Sequence, residues 1–320
     1  MATINTRIND TTKRYQHRSK IRSKTLGVLS TNDPDSIIKI DDPKRVQVRK
    51  KLLKRNHNLT LERILGGNDL MPIHSLDIAK RTSKSVCRIR IRNQNGHTLG
   101  YGTGFMVSPS LLMTNNHVLE NIDICKKSLA EFDYQLDEEL NPKPVETFKL
   151  QPDKFFYTNR NLDFTLVYVS PTSLTNKPLS DFGHLKLIKE SGKAVIGEYV
   201  SIIQHPSGEM KSITMRENRV VDIFDDFVHS LADTERGSSG SPVHNDQWEV
   251  VSLHHSGVPK LDEQGNVLSV DGTLWKKGMG DDKIAWIANE SVRVSSIIKD
   301  LQNVASSSDL DTQLLNAVIG

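Results

Sequence analysis

With only two cysteines, Cys87 and Cys125, in 320 residues, no disulfide framework can be read from the chain. Its fold must then rest on a packed core, and two buried free thiols in a reducing, cytoplasmic setting are the expectation. No run of about 18 apolar residues occurs, which excludes a membrane-spanning helix. The first twenty residues, "MATINTRINDTTKRYQHRSK", lack the apolar stretch of a secretory signal. Metal-ligand spacing is missing too: His254 and His255 are adjacent, and on a regular strand they would face opposite ways. No cofactor is implied and no internal repeat is visible.

The length leaves room for one large or two ordinary domains. The charge is unevenly spread, since residues 1–60 hold 15 Lys/Arg against 5 Asp/Glu, leaving 27 against 34 in the rest. A basic arm therefore precedes an acidic body. Nucleic acid and acidic partners are both candidates for such an arm, beside the plainer reading of a solvated tail. Residues 1–42 are polar and read as a leader outside the core. Asp42-Pro43 resembles an N-cap and first helical residue, opening a short basic helix through "KRVQVRKKLLKRN".

From about Thr82 the texture changes. "VCRIRIR" sets Cys87, Ile89 and Ile91 on one side and Arg88, Arg90 and Arg92 on the other, the period of a strand. Asn95-Gly96 signals a hairpin, and further strands are expected at "GYGTGFMVS", "LLMTN", "DFTLVYV", "EYVSIIQ", "SITMRENRVVDI", "WEVVSL" and "NVLSV". Many short strands between Gly, Pro, Asn and Asp clusters predict an all-β body. Val294, Ile297, Ile298 and Leu301 recur at helical spacing and predict a closing helix over about Ala285–Gln302. The organisation expected is an extension over residues 1–81, partly disordered with one short helix, a body over 82–304 and a tail over 305–320.

"GSSGSPV", residues 237–243, raises the question of a nucleophile. An attacking serine needs a base, a group to hold that base, and donors for the oxyanion. Ser239 has Gly237 two residues before it and Gly240 directly after, which permits a tight turn and close substrate approach. The amides of Gly237 and Ser239 are the candidate oxyanion donors. His117, in "LLMTNNHVLE" just past an apolar strand, is the candidate base, and Asp163, opening the strand of "NLDFTLVYV", the candidate orienting acid. Their order, His then Asp then Ser, differs from that of the α/β-hydrolases, which would also require Gly-x-Ser-x-Gly.

On "GTGFMVS", "TNNHV", "LDFTLV", "IIQHPSG" and "GSSGSPV", the sequence over about residues 85–300 resembles the trypsin-like serine peptidases, and within them the V8-type glutamyl endopeptidases. The resemblance implies two six-stranded antiparallel β-barrels with the active site between them. It implies His117 from the first barrel, Asp163 near the crossover, Ser239 from the second, and a protein or peptide substrate. "RILGG", Arg63–Gly67, looks like an activation cleavage site, yet Ser238 stands where trypsin's relatives keep the aspartate that receives the new amine. The stretch reads instead as a turn or linker. For specificity, Asp233 would favour a basic residue before the cut, whereas Thr234 and His254 fall where the V8 pattern grips a glutamate, with Arg236 adding positive charge. The acidic preference is favoured. The competing function is an inactive trypsin-fold scaffold whose basic arm recruits nucleic acid or an acidic partner.

Overall fold

The computed structural model describes residues 2–53, 61–65, 72–215, 218–231, 237–276, 278–307 and 311–319. Six helices come first: α1 (Ala2–His17), α2 (Ser19–Leu29), α3 (Pro34–Ile40), α4 (Pro43–Leu53), α5 (Leu61–Leu65) and α6 (His74–Lys84). Then follow β1 (Val86–Arg92), β2 (Thr98–Met106), β3 (Leu111–Thr114), α7 (Ile122–Lys127), β4 (Leu129–Phe132), β5 (Glu146–Lys149), β6 (Phe156–Asn159) and β7 (Phe164–Tyr168). The second half holds β8 (Ser201–Gln204), β9 (Ser212–Thr214), β10 (Val220–Phe224), β11 (Phe227–Ser230), β12 (Pro242–His244), β13 (Val250–Pro259) and β14 (Trp286–Arg293). Helices α8 (Val294–Ser307) and α9 (Thr312–Ile319) end the described chain.

The strands form two antiparallel seven-stranded sheets, ordered β5-β4-β1-β2-β3-β7-β6 and β10-β11-β14-β13-β12-β8-β9. The body is all-β, as its short alternating segments require. Expectation and structure differ in strand number, and the backbone bonds explain the difference. Beyond β5, Gln151 N–H donates to Tyr168 O at 2.8 Å and Ser170 N–H to Lys149 O at 2.9 Å, so the end of β5 meets the end of β7. In the second sheet Val200 N–H donates to Asn218 O and Val220 N–H to Glu198 O, joining the approaches to β8 and β10. Six strands thus curl round in each sheet, and β6 or β9 is appended outside the ring.

Each ring encloses its own apolar core. Cys87, Ile89, Met106, Leu112, Phe132 and Phe148 fill the first, and Val200, Ile202, Val221, Ile223, Val243 and Val251 the second. A third cluster lies between them, where Phe105, Met113, Leu166 and Leu253 meet Ile297, Ile298 and Leu301 of α8. Cys87 and Cys125 are buried free thiols, and burial raises both thiol pKa values.

Several expectations are corrected. The residues read as a leader fold into α1–α3, and their Leu29 and Ile37, together with Val46 and Leu53 of α4, pack into the second core. In "RILGG", Ile64 and Leu65 belong to α5 and the same core instead of a turn, while Gly66 and Gly67 lie outside the described residues. The closing helix starts at Val294, because Trp286–Arg293 forms the central strand β14 between β11 and β13. The expected tail carries α9, whose Leu315 and Val318 are buried in the cluster between the sheets. Val267 and Leu268 of "NVLSV" make isolated bridges only. Helix α4 begins as its sequence predicts, Asp42 Oδ1 accepting the Lys44 amide at 2.8 Å ahead of Pro43. Among the described residues no helix is long and apolar enough to cross a membrane.

Candidate active site

In an antiparallel pair the end of one strand lies beside the start of the other. Thr114, which ends β3, pairs with Thr165 near the start of β7. The turn after β3 is therefore brought against the residue that opens β7. There His117 Nδ1 donates to Asp163 Oδ2 at 2.8 Å and lies 3.0 Å from Oδ1. The His117 amide also donates to Asp163 Oδ1 at 3.1 Å, and Asn115 Nδ2 holds the Asp163 carbonyl at 2.8 Å. Asp163 occupies the left-handed region with φ +45°, which aspartate tolerates better than most side chains. Burial pushes the His117 pKa down to about 4 against the opposing pull of Asp163. The imidazole is therefore a free base at neutral pH. Burial disfavours a charged Asp163, but the His117 and His255 rings outweigh it and hold the carboxyl below its usual range.

Ser239 lies in the loop that enters β12, flanked by Gly237 and Gly240, both at φ +89°. A side chain at either glycine would collide with backbone: its Cβ would stand 2.5 Å from His205 O at position 237 and 2.0 Å from Thr103 O at position 240. Thr103 of β2 ties this loop to the first sheet. Its amide donates to Ser239 O at 2.8 Å, and its hydroxyl donates to Gly237 O at 2.8 Å while accepting from the His205 amide at 3.0 Å. The "IIQHPSG" stretch is strand β8 ending in a tight turn, and that turn is also the floor under Gly237. Among the described residues, the amides of Gly237 and Ser239 donate no hydrogen bond.

His117 and Ser239 line one cavity of ≈ 430 Å³, together with Tyr101, His254, Trp286 and Arg7 of α1. No hydrogen bond joins the His117 and Ser239 side chains among the described residues, an arrangement common in ligand-free sites. His254 is buried, and burial takes its pKa down to about 3, so it faces the cavity as a neutral ring. Thr234, Asp233 and Arg236, the other candidates for substrate recognition, lie outside the described residues. A second cavity of ≈ 270 Å³, which His117 also lines, is bounded by Arg7, Asp10, Arg160 and Asp163.

The structure adds residues that sequence reasoning missed. His255 does not point away from His254; both line the cavity. The register of β13 on β14 slips between His254 and Ser256, so side-chain alternation fails at a bulge. His255 Nδ1 consequently reaches Asp163 Oδ2 at 3.1 Å and its Nε2 reaches Glu290 Oε1 at 2.9 Å. Two histidines inside the apolar run "VVSLHHSGV" were the available signal. Among the described residues, no cluster of three or more His, Cys, Asp or Glu side chains has a metal-binding arrangement.

Residues 102–253, a span that includes His117, Asp163 and Ser239, match the family model described as trypsin-like peptidase domain. The chain is similar to the uncharacterized protein y4fB of Sinorhizobium fredii, 38% identical over 258 residues, covering 75% of this chain and 39% of that protein. It is also similar to the secreted RxLR effector protein 73 of Plasmopara viticola, 29% identical over 197 residues, covering 56% of this chain and 46% of that protein. The chain thus spans less than half the length of either relative. Among solved structures, the Rv3671c protein of M. tuberculosis is similar in an inactive form (16% identity, TM-score 0.46) and, described as a protease, in an active form (17%, TM-score 0.48). These similarities cover 76% of this chain and 98% and 92% of those chains. The family match covers a little under half of the chain, and over that stretch the chain is similar to trypsin-like peptidase domains. None of these relatives singles out the V8-type branch.

Proposed function

We propose that the protein is a serine endopeptidase that hydrolyses peptide bonds through an acyl-enzyme. His117 takes the proton from Ser239 Oγ as the oxygen attacks the carbonyl carbon, and the new oxyanion is received by the amides of Gly237 and Ser239. The protonated imidazole then passes its proton to the leaving amine. Water, deprotonated by the same ring, releases the acid and restores Ser239. Asp163 keeps the Nδ1 proton in place, leaving Nε2 as the base. The observation that carries this reading is the 2.8 Å bond from His117 Nδ1 to Asp163 beside a cavity that Ser239 shares.

Cleavage after acidic residues is the specificity the site favours. Arg7 supplies a cation to the cavity wall, and the neutral His254 ring can donate one hydrogen bond to a carboxylate. The scaffold reading needs an arm whose charge is available to partners. Three of its arginines are instead engaged within the chain: Arg14 with Glu290, Arg18 with Asp222 and Arg49 with Glu198.

Labelling by a fluorophosphonate tests the proposal. The intact chain should become labelled at Ser239 and the Ser239→Ala variant should not. Absence of label on the intact chain, where a control peptidase reacts, would remove the hydrolytic reading.

A further inference from the structure

Helix α1 presents Thr11, Arg14 and Tyr15 at the three- and four-residue spacing that shares one helical face, and Arg18 follows just past its end. That face docks on β10, β11 and β14 through charge and aromatic contacts. Arg18 bonds Asp222 through two nitrogens at 2.5 and 2.7 Å. Tyr15 meets the His229 ring edge-on, with centroids 5.1 Å apart. At the centre is Glu290, a fully buried carboxylate. Arg14 bonds it through Nε at 3.0 Å and also through a terminal nitrogen, and Thr11 Oγ1 donates to it at 2.9 Å. His229 Nε2 donates to its other oxygen at 3.0 Å.

From Glu290 a continuous path runs to the reacting groups. His255 bridges Glu290 and Asp163 by its two ring nitrogens, and Asp163 holds His117. A ring whose two nitrogens both face carboxylates carries two protons, so its charge is positive. Charges then alternate along the path: Asp163 negative, His255 positive, Glu290 negative, Arg14 positive. Phe227 packs beside both cations, with Arg14 4.1 Å above its ring and His255 stacked at 5.8 Å. Other titratable groups face this path from each side: Arg7 from α1, His229 from β11, His254 from β13 and His117 from the turn after β3.

We infer that His255 and Glu290 are positioning residues for the Asp163–His117 pair, and that α1, by clamping Glu290 with Arg14 and Thr11, is an activating part of the catalytic centre. This rests on the peptidase reading above. The physical reason is geometric. Asp163 Oδ2 receives both imidazoles, so His255 fixes the rotation of the carboxylate that orients the base, and His255 is itself fixed only while Glu290 is held. A carboxylate without Arg14 loses a charge-assisted clamp and gains freedom to leave the ring. The basic arm would then find its acidic partner inside its own chain.

The test combines an activity readout with one that needs no activity. Nitrogen-15 NMR of the histidine rings is recorded across pH on the intact protein, Glu290→Gln and Arg14→Gln. Fluorophosphonate labelling of Ser239 is timed on the same samples. The intact protein should show His255 protonated at both nitrogens at pH 7, and Glu290→Gln should remove one of those protons. Labelling should slow roughly ten- to a hundredfold in Glu290→Gln, the scale of lost outer-shell partners of a histidine. A smaller loss is expected in Arg14→Gln, with recovery in Arg14→Lys. Because the Arg14 side chain is 30% exposed, its exchange spares the buried core. The inference is overturned if His255 carries one proton in the intact protein, or if both variants label within twofold of the parent rate. Should the rings respond while the intact chain takes no label, the peptidase reading fails and the His255–Glu290 coupling stands.

Discussion

Thr103 and Ser239 join the two sheets at the centre of the site, the Thr103 amide donating to the Ser239 carbonyl at 2.8 Å. Because the Thr103 hydroxyl also serves Gly237 O and the His205 amide, Thr103→Val would leave two polar backbone groups without that partner. A loss of about 1–3 kcal/mol per buried unpaired group is the expected scale, read by urea unfolding. Gly240→Ala should be worse, since its Cβ would stand 2.0 Å from Thr103 O at φ +89°. The check is whether Gly240→Ala retains any fluorophosphonate labelling.

The pH dependence follows from burial of neutral histidines. With His117 at about 4, the labelling rate should rise with pH through that value, as the ring loses the proton that blocks it, and stay level through neutrality. Stability should follow the same direction over a wider window. His205, His244 and His254 are taken down by burial to about 3, against about 6.5 in the unfolded chain. The unfolded state binds more protons between these values, so stability is fully present above about 6.5 and lost as pH falls. Urea midpoints at pH 7, 5.5 and 4.5 should decrease in that order, and a flat series would contradict the burial of neutral rings.

Arg7 lines both cavities around His117. If it meets a substrate carboxylate, Arg7→Gln should lower kcat/KM for peptides with an acidic residue before the cut by about tenfold, near 1.4 kcal/mol, with little change for neutral ones. Profiling cleavage in a peptide library measures both. Equal losses on the two substrate sets would assign Arg7 a structural role.

Arg49 and Glu198 form a buried pair at 2.6 Å that ties α4 to the approach of β8. Arg49→Met should destabilise by about 3–5 kcal/mol, because it strands a buried carboxylate, whereas Arg49→Met with Glu198→Leu should recover most of the loss. Thermal unfolding of the two variants beside the parent distinguishes pair from partner. A double variant as weak as the single would assign the loss to packing.

The residues themselves determined what depends on neighbours in sequence. Period-two apolar spacing made β1 legible, because one side of that strand must face a core, and short segments set between turn residues did the same for β2 and β7. Helical spacing after Val294 did the same for α8, and glycines 237 and 240 marked the sharp loop around Ser239. Only the tertiary structure decided what depends on remote partners. Strand β14 has little apolar pattern of its own, since its buried Glu290 is satisfied by His229, His255 and Arg14, from three other elements. Helix α1 and Arg18 just past its end looked like a solvated arm because they dock by charge onto Glu290 and Asp222, more than two hundred residues away, and local hydropathy carries no trace of such pairing. The bulge at His255 belongs to the register of two strands, a property of neither sequence alone, and it turns an apparently outward ring toward Asp163.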